Sequence, residues 1–323
     1  MLLDQYHRIA TYLRIGVTDR CNLRCRYCMP SEGIDFSDRK DLMTYEEIIR
    51  LTGIFKSLGV SKIRITGGEP FVRKDIGNLL ASLKNQFEDV YITTNATLLE
   101  NHIYDLKSIG ISGLNISIDS LDRNRFHVIT RRDSFDQVLS NIYGCIDAGI
   151  PIKLNVVIMK GVNDMEIVDF LNFGKSNNVV VRFIEAMPFN QDDGNHDVHM
   201  SVDEMLESIR HQGVLPEPIQ KDSISSSNLF KANDMEFGII PAFTRSLCGM
   251  CNRIRLTPRG DFMTCLYSAQ GVNLLSLLRK EQVSDDDIAD VILDTVRKKR
   301  KNGFEEEALQ GASIFKSMTT IGG

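Results

Sequence analysis

Short runs rich in β-branched residues return roughly every 25 to 50 residues between stretches of helical period, and this alternation constrains the fold more than any other feature. The runs are YLRIGVT (12–18), KIRIT (62–66), VYITT (90–94), GLNISI (113–118), IKLNVVIM (152–159) and VVVRFIE (179–185). Segments 44–58, 75–87, 98–109, 134–148 and 164–176 between them carry helical patterns. The first opens with Thr44 and Glu47 at capping-box spacing and is closed by Gly59, as a C-terminal glycine closes a helix. Strand and helix in alternation read as βαβ units around a parallel sheet. Six such strands in the first 190 residues fall short of the eight that close a barrel of about 250. The expectation is an α/β fold, a partial (β/α)6 TIM-like barrel, with a doubly wound open sheet as the alternative.

Polar and glycine-rich residues follow the strands: TGGEP at 66–70, TNA at 94–96, DS at 119–120, KG at 160–161 and MP at 187–188. Any one of these is an ordinary turn; their repetition puts a site at the carboxyl ends of the strands. Near residue 190 the pattern changes to a polar loop, FNQDDGNHDVH, followed by a helix from Ser201 with Glu204 at capping-box spacing. The chain is therefore divided into a barrel, 1–190, and a C-terminal region, 191–323. That region contains a β-hairpin around Pro258-Arg259-Gly260 and a helix in SDDDIADVILDTVRKKRKNG, with Gly303 as its stop, before the terminal IGG.

With 38 Lys plus Arg against 43 Asp plus Glu, a net charge of −5 excludes a polybasic nucleic-acid binder. No apolar run reaches the ~18 residues of a membrane span, and MLLDQYHRIATYLRI lacks the features of a secretory signal, so a cytoplasmic address is expected. In that setting the seven cysteines point to a metal or redox site rather than a disulfide framework. They fall into three, three and one. Cys145 shares a helical stripe with Phe135, Val138, Leu139, Ile142 and Ile146 and reads as core.

Cys21-x3-Cys25-x2-Cys28 follows the first strand on a loop that also carries Arg20, Arg24 and Arg26. A four-iron cubane takes four ligands, so three thiolates leave one iron open, as a catalytic zinc keeps one position open. Zinc is the alternative, but structural zinc wants four ligands and the nearest histidine in sequence is His7. Cys248-x2-Cys251-x13-Cys265 repeats the count of three. Structural zinc ribbons pair one CxxC with another; here His196, His199 or His211 could supply a fourth ligand. Two glycines in Thr66-Gly67-Gly68-Glu69-Pro70 permit close backbone approach, and Glu69 can neighbour an ammonium. Arg253 and Arg255, at i and i+2 of a strand, point to one face, where guanidinium forks suit phosphate. No GxxxxGK[ST] loop is present.

These segments resemble the radical S-adenosylmethionine (SAM) enzymes, whose signature is a CxxxCxxC loop after the first barrel strand. Nearly the whole chain resembles the GTP 3′,8-cyclase family within them, through YLRIGVTDRCNLRCRYCMP, KIRITGGEP, TTN, NISIDSLD, KLNVVIMKGVND, RFIEAMP, CGMCNRIRLTPRGDFMTCL and the terminal IGG. Gly16 and Ala96 depart from the family's Ser and Gly. The resemblance implies two 4Fe-4S clusters, one on Cys21, Cys25 and Cys28 and an auxiliary one on Cys248, Cys251 and Cys265. It implies SAM contacts at Tyr27, Gly67, Gly68, Glu69, Ser117 and Met187. GTP contacts are implied at Arg14, Arg64, Thr93, Lys153, Arg253, Ile254 and Arg255, with catalytic roles for Arg253, Arg255, Gly322 and Gly323. The implied reaction converts GTP to (8S)-3′,8-cyclo-7,8-dihydroguanosine 5′-triphosphate through a 5′-deoxyadenosyl radical that takes the ribose 3′ hydrogen, opening molybdenum cofactor biosynthesis. A reductant, a homodimer and hand-over to cyclic pyranopterin monophosphate synthase are implied with it. Another radical SAM enzyme with an auxiliary cluster, or a non-catalytic metal-binding scaffold, remain the competing readings.

Overall fold

Each of the six runs forms a strand: β1 (Tyr12–Gly16), β2 (Lys62–Thr66), β3 (Asp89–Thr94), β4 (Gly113–Ser117), β5 (Ile152–Ile158) and β6 (Val180–Glu185). The computed structural model describes residues 1–187, 198–220, 226–232, 234–268, 271–309 and 317–322. The strands alternate with α1 (Tyr45–Ser57), α2 (Ile76–Gln86), α3 (Ile103–Ile109), α4 (Arg123–Thr130), α5 (Phe135–Asp147) and α6 (Ile167–Asn177). Thr44 and Glu47 form the expected reciprocal capping box, and Gly59 follows α1 at a φ of +101°. Helix α3 starts later than its pattern suggests, because residues 99–101 tighten into a 3-10 turn. Helix α4, capped by Asp122, is the barrel helix the sequence pattern did not announce; it is short, and only Phe126, Ile129 and Thr130 are buried along it.

The pleat explains the sheet's two faces. Leu13, Ile15, Ile63, Ile65, Val90, Ile92, Leu114, Ile116, Leu154, Val156, Val181 and Phe183 are buried in one core together with Ile48, Leu51, Phe55, Leu79, Val138, Cys145 and Phe170 of the helices. Each such side chain contributes roughly 1.5–3 kcal/mol of hydrophobic stabilisation. The alternate residues, among them Arg14, Arg64, Thr93, Asn115, Lys153 and Arg182, lie on the other face.

After residue 190 come α7 (Val202–His211), β7 (Glu217–Ile219), β8 (Asn228–Ala232), β9 (Met235–Ile240), β10 (Arg253–Leu256), β11 (Asp261–Met263), β12 (Val272–Asn273), α8 (Leu274–Leu278), α9 (Asp285–Arg297) and α10 (Gly303–Ala308). The Ser201–Glu204 capping box of α7 is present. These strands extend the same sheet at both edges, in the order β12-β11-β10-β1-β2-β3-β4-β5-β6-β9-β8-β7. Strand β10 lies parallel beside β1 and β9 parallel beside β6, so the parallel part runs from β10 through β9 as a partial barrel. The expected hairpin joins β10 to β11, with Leu256 opposite Phe262.

Gly303 does not stop the helix before it. Helix α9 ends at Arg297, and Gly303 instead opens α10 behind the Asn302 N-cap. A Cβ on Gly303 would lie 2.8 Å from the Tyr267 ring and 3.0 Å from Arg245 Cδ, so the glycine serves packing. Among the described residues no helix is long and apolar enough to cross a membrane.

Candidate active site

The first cysteine loop leaves the carboxyl end of β1 and is strapped on both sides. Arg24 N and Arg26 N donate to Thr130 O and Ile129 O at the end of α4 (both 3.0 Å), and Arg131 Nη1 donates to Met29 O at 3.1 Å. Helix α4 therefore acts as a buttress for the thiols. On the other side Gly68 N donates to Thr18 O (2.7 Å) and Glu69 N to Arg20 O (2.9 Å). A Cβ on Gly67 would fall 2.4 Å from Thr18 O, and one on Gly68 2.3 Å from Arg20 O. The close approach that these glycines permit is thus made first to the backbone of the cysteine loop itself. Gly16 has a similar explanation: a Cβ there would meet Pro258 Cδ at 2.7 Å. Ala96 takes a left-handed φ of +62°, which is where a glycine would be easier.

Glu69 is fully buried and accepts from Phe71 N (3.1 Å), Thr94 Oγ1 (2.8 Å) and Asn95 N (2.7 Å). Burial lifts its carboxyl to about 7 against these bonds. It pins the loop after β2 to the loop after β3, whose Asn95 Nδ2 reaches Cys21 Sγ at 3.7 Å. Tyr27 OH donates to Asp119 Oδ2 at 2.8 Å, and Asp119 Oδ1 accepts from Val157 N; burial raises Asp119 to about 6. Ser117 is the last residue of β4. Met187 packs with Met263, Leu266, Tyr267, Met318 and Ile321, between the hairpin and the C-terminal tail.

All seven cysteines are free thiols, with Cys145 buried in the core and the six triad members half-buried. Burial and Glu69 push Cys21 to about 11; burial and Cys21 push Cys28 to about 12. Three soft donors on a strapped loop suit an iron-sulfur cluster, whose binding displaces those protons. Cys248 and Cys251 lie on the turn before β10 and Cys265 follows β11. Cys251 differs: burial would raise it, but Lys299 and Arg253 outweigh that and bring it to about 6. Of the histidines considered as fourth ligands, His211 pairs with Glu207 on the exposed side of α7 (3.1 Å). The His199 ring lies against that of Phe243, tilted at 43° with centroids 4.2 Å apart, and His196 lies outside the described residues.

Between the two cysteine loops the inner face of the barrel is cationic. Arg255, Arg14 and Arg64 stand in register on β10, β1 and β2. Arg253 lies beside Tyr12, one pleat away. Arg64 bonds Tyr12 OH and Thr93 Oγ1 (3.4 Å). Burial would raise the Tyr12 phenol, but Arg64, Arg14 and Lys62 lower it to about 8. Lys153 belongs to this face on β5, opposite Asn115 and Val180. The pleat that turns Arg253 and Arg255 inward turns Ile254 outward: its side chain is 0% exposed in the core, so a ligand contact could come only from its backbone. Arg182 on β6 was not among the expected contacts, although like Arg14 and Arg64 it is a cation inside a β-run. It is 8% exposed and lowered to about 9 by burial and by Arg64 and Arg14. Among the described residues the buried Nε atoms of Arg14 and Arg182 have no hydrogen-bond partner.

The tail closes this space. Met318 N donates to Cys28 O at 3.2 Å, and Arg255 Nη1 donates to Gly322 O at 2.9 Å. Residues 318 and 322 are thus at most about 14 Å apart, and they link the first cysteine loop to the arginine face. Gly322 has a φ of +70°, and a Cβ there would lie 3.3 Å from Gly16 Cα. Gly323 lies outside the described residues.

Residues 15–174 match the Radical SAM superfamily and residues 179–305 match Molybdenum Cofactor Synthesis C. The chain is 42% identical over 285 residues to a GTP 3′,8-cyclase of Clostridium botulinum, covering 87% of this chain and 89% of that protein. It is 37% identical to one of Hydrogenovibrio crunogenus, covering 100% and 99%. It is also 39% identical to the mitochondrial GTP 3′,8-cyclase of Arabidopsis thaliana, covering 93% and 78%. Among solved structures, Streptococcus suis SuiB superposes with a TM-score of 0.65 at 15% identity, over 96% of this chain and 77% of that one, a likeness of fold. Two cysteine loops flanking a cationic barrel face, with sequence identity over nearly the full length, place the chain in the GTP 3′,8-cyclase family of the radical SAM superfamily.

Proposed function

We propose that the chain converts GTP to (8S)-3′,8-cyclo-7,8-dihydroguanosine 5′-triphosphate, the first step of molybdenum cofactor biosynthesis. The observation that carries this reading is the row Arg255, Arg14 and Arg64, joined by Arg182, between two three-thiol loops, with Arg255, Arg64 and Arg182 buried and Arg14 half-buried. Guanidiniums gathered out of water repel one another, and a triphosphate relieves that repulsion through charge-assisted bonds. Thr93 and Lys153 lie on the same face and would add a hydroxyl and an ammonium. Cys21, Cys25 and Cys28 would hold a 4Fe-4S cluster, with SAM against Tyr27, Gly67, Gly68, Glu69, Ser117 and Met187. Bound SAM and an electron from an external reductant would supply a 5′-deoxyadenosyl radical, which takes the ribose 3′ hydrogen so that this carbon can close on carbon 8 of guanine; a second electron from the reductant and a proton then give the closed-shell dihydro product.

The chain's own residues orient and shield. Cys248, Cys251 and Cys265 would hold a second 4Fe-4S cluster with one ligand position left for guanine. Arg253 and Arg255 then stand between guanine and phosphates, and the carbonyl of Gly322 orients Arg255. The tail keeps water and stray hydrogen donors from a reactive carbon. A barrel of residues 1–190 followed by a region of residues 191–323 that completes its edges, a cytoplasmic homodimer, and hand-over to cyclic pyranopterin monophosphate synthase belong to the same reading.

The test is anaerobic incubation of the reconstituted chain with dithionite, SAM and GTP, followed by mass spectrometry. The cyclised triphosphate and 5′-deoxyadenosine are expected together. 5′-Deoxyadenosine with untouched GTP would reject the cyclase reading, and a colourless zinc protein without sulfide would reject any radical chemistry.

A further inference from the structure

Lys299 belongs to the basic run at 297–301 that ends α9, where a solvated charge is expected, yet it is 4% exposed. Its Nζ donates to Cys251 O at 3.1 Å and Arg253 O at 3.0 Å, and lies 3.7 Å from Cys251 Sγ. All three acceptors belong to one short segment, the second half of the CxxC loop and the start of β10. Behind it, Arg8 Nη1 donates to Cys248 O at 2.8 Å and to Lys301 O at 2.7 Å, while Arg8 Nε pairs with Asp4 at 2.6 Å. Gln5 Nε2 donates to Lys299 O at 3.0 Å. The N-terminal residues and the 299–301 turn thus grip the second cysteine loop with two cations.

The first loop differs at its sulfurs. Arg24 Nη1 donates to Cys21 O at 2.7 Å, but the Cys21 sulfur receives a neutral amide from Asn95, and at the thiols of this loop the charge of Arg24 is set against the carboxyl groups of Glu69 and Asp119. A buried ammonium is costly unless its charge is answered, and a thiolate answers it. Adding an electron to a cluster adds negative charge, which a desolvated cation and N–H donors to its sulfurs favour.

We infer that Lys299 is a positioning residue for the second cysteine triad, fixing the Cys251 thiolate and holding the cluster there at a higher reduction potential than the cluster on the first triad. The inference rests on the reading that the second triad carries a 4Fe-4S cluster. Its consequence is that the two centres separate: the second accepts an electron first, and the first remains the low-potential centre.

The full chain is reconstituted anaerobically and titrated with dithionite through redox mediators, with each cluster followed by electron paramagnetic resonance. A variant with Cys21, Cys25 and Cys28 changed to Ser assigns the second signal. In the wild type the second signal is expected at the higher potential. Lys299→Met, which keeps the stem and removes the charge, should lower that potential and speed loss of second-site iron to a chelator about tenfold or more. Lys299→Arg should retain most of the wild-type potential, and an unchanged first signal in both variants shows the fold intact. A Lys299→Met chain with wild-type potential and iron retention overturns the inference. Wild-type protein with one cluster's worth of iron, all on the first triad, instead overturns the second-cluster reading, and this inference with it.

Discussion

Arg182 offers the sharpest test of the phosphate-binding face, because function and stability should move in opposite directions when it is replaced. It sits on β6 in register with Asn155 and Gly238, and a Cβ on Gly238 would lie 3.3 Å from Arg182 Cγ. Its Nε has no hydrogen-bond partner among the described residues. Burial, then Arg64 and Arg14, lower its pKa from 12.5 to about 9. That drop corresponds to an upper limit of about 5 kcal/mol of unfavourable free energy for carrying the charge in the ligand-free fold. Methionine keeps the aliphatic stem and removes the charge, and such replacements of buried ions commonly stabilise by about 1–4 kcal/mol. Arg182→Met should therefore raise the urea-unfolding free energy of the ligand-free chain by an amount in that range at neutral pH. The sign follows from linkage: between about 9 and 12.5 the unfolded chain holds more protons than the folded one, so folding gains stability as pH rises there. The advantage of the variant is full below about 9 and shrinks above it. Loss of a charge-assisted bond to phosphate costs about 1.5–3 kcal/mol, or roughly 10–150-fold in GTP affinity by anaerobic calorimetry. Guanosine binding should not change. A variant that is less stable than wild type, or that binds GTP equally well, would refute this reasoning and make Arg182 a structural residue.

Three further outcomes are expected. In the cluster-free protein Cys251 should react with iodoacetamide half-maximally near pH 6, whereas Cys21 and Cys28 should stay slow until far higher pH, because their thiols lie at about 11 and 12; peptide mass spectrometry reads the order, and equal reactivity would contradict the electrostatic contrast between the loops. Gly16→Ser should cost about 1–3 kcal/mol through overpacking against Pro258, and adding Pro258→Ala should restore most of it in thermal unfolding; no recovery would place the strain elsewhere. Deleting Gly322 and Gly323 should leave the melting temperature unchanged and reduce cyclised product, since the carbonyl on Arg255 is lost; full turnover would show the tail to be dispensable.

Much of the barrel could be read from the chain because the signals are local. Periods of two and of 3.6 residues report which face of a strand or helix is apolar, and capping boxes at Thr44 and Ser201 report where helices begin. Helices α4, α8 and α10 and strands β7, β8, β9 and β12 escaped. The helices are short, β7 and β12 are too short for an alternation to be seen, and β9 buries three consecutive residues instead of alternating. Arg14 and Arg64 were expected from the family resemblance, which did not extend to Arg182.

Sequence alone determined that six strands alternate with helices, that two sets of three thiols lie on loops, that Cys145 is packing, and that Arg253 and Arg255 share a face. Only the tertiary structure decided what meets what. It put β10 beside β1 and so brought Arg255 next to Arg14, and it turned Ile254 into the core. It explained Gly16, Gly67 and Gly68 by neighbouring backbone and proline, and it drew Lys299 out of a basic run to the sulfur of Cys251. The physical reason is one of range. Periodicity is set by hydrogen bonds within a segment, whereas a neighbour across the sheet is chosen by chain closure and by the search of every buried charge for a partner.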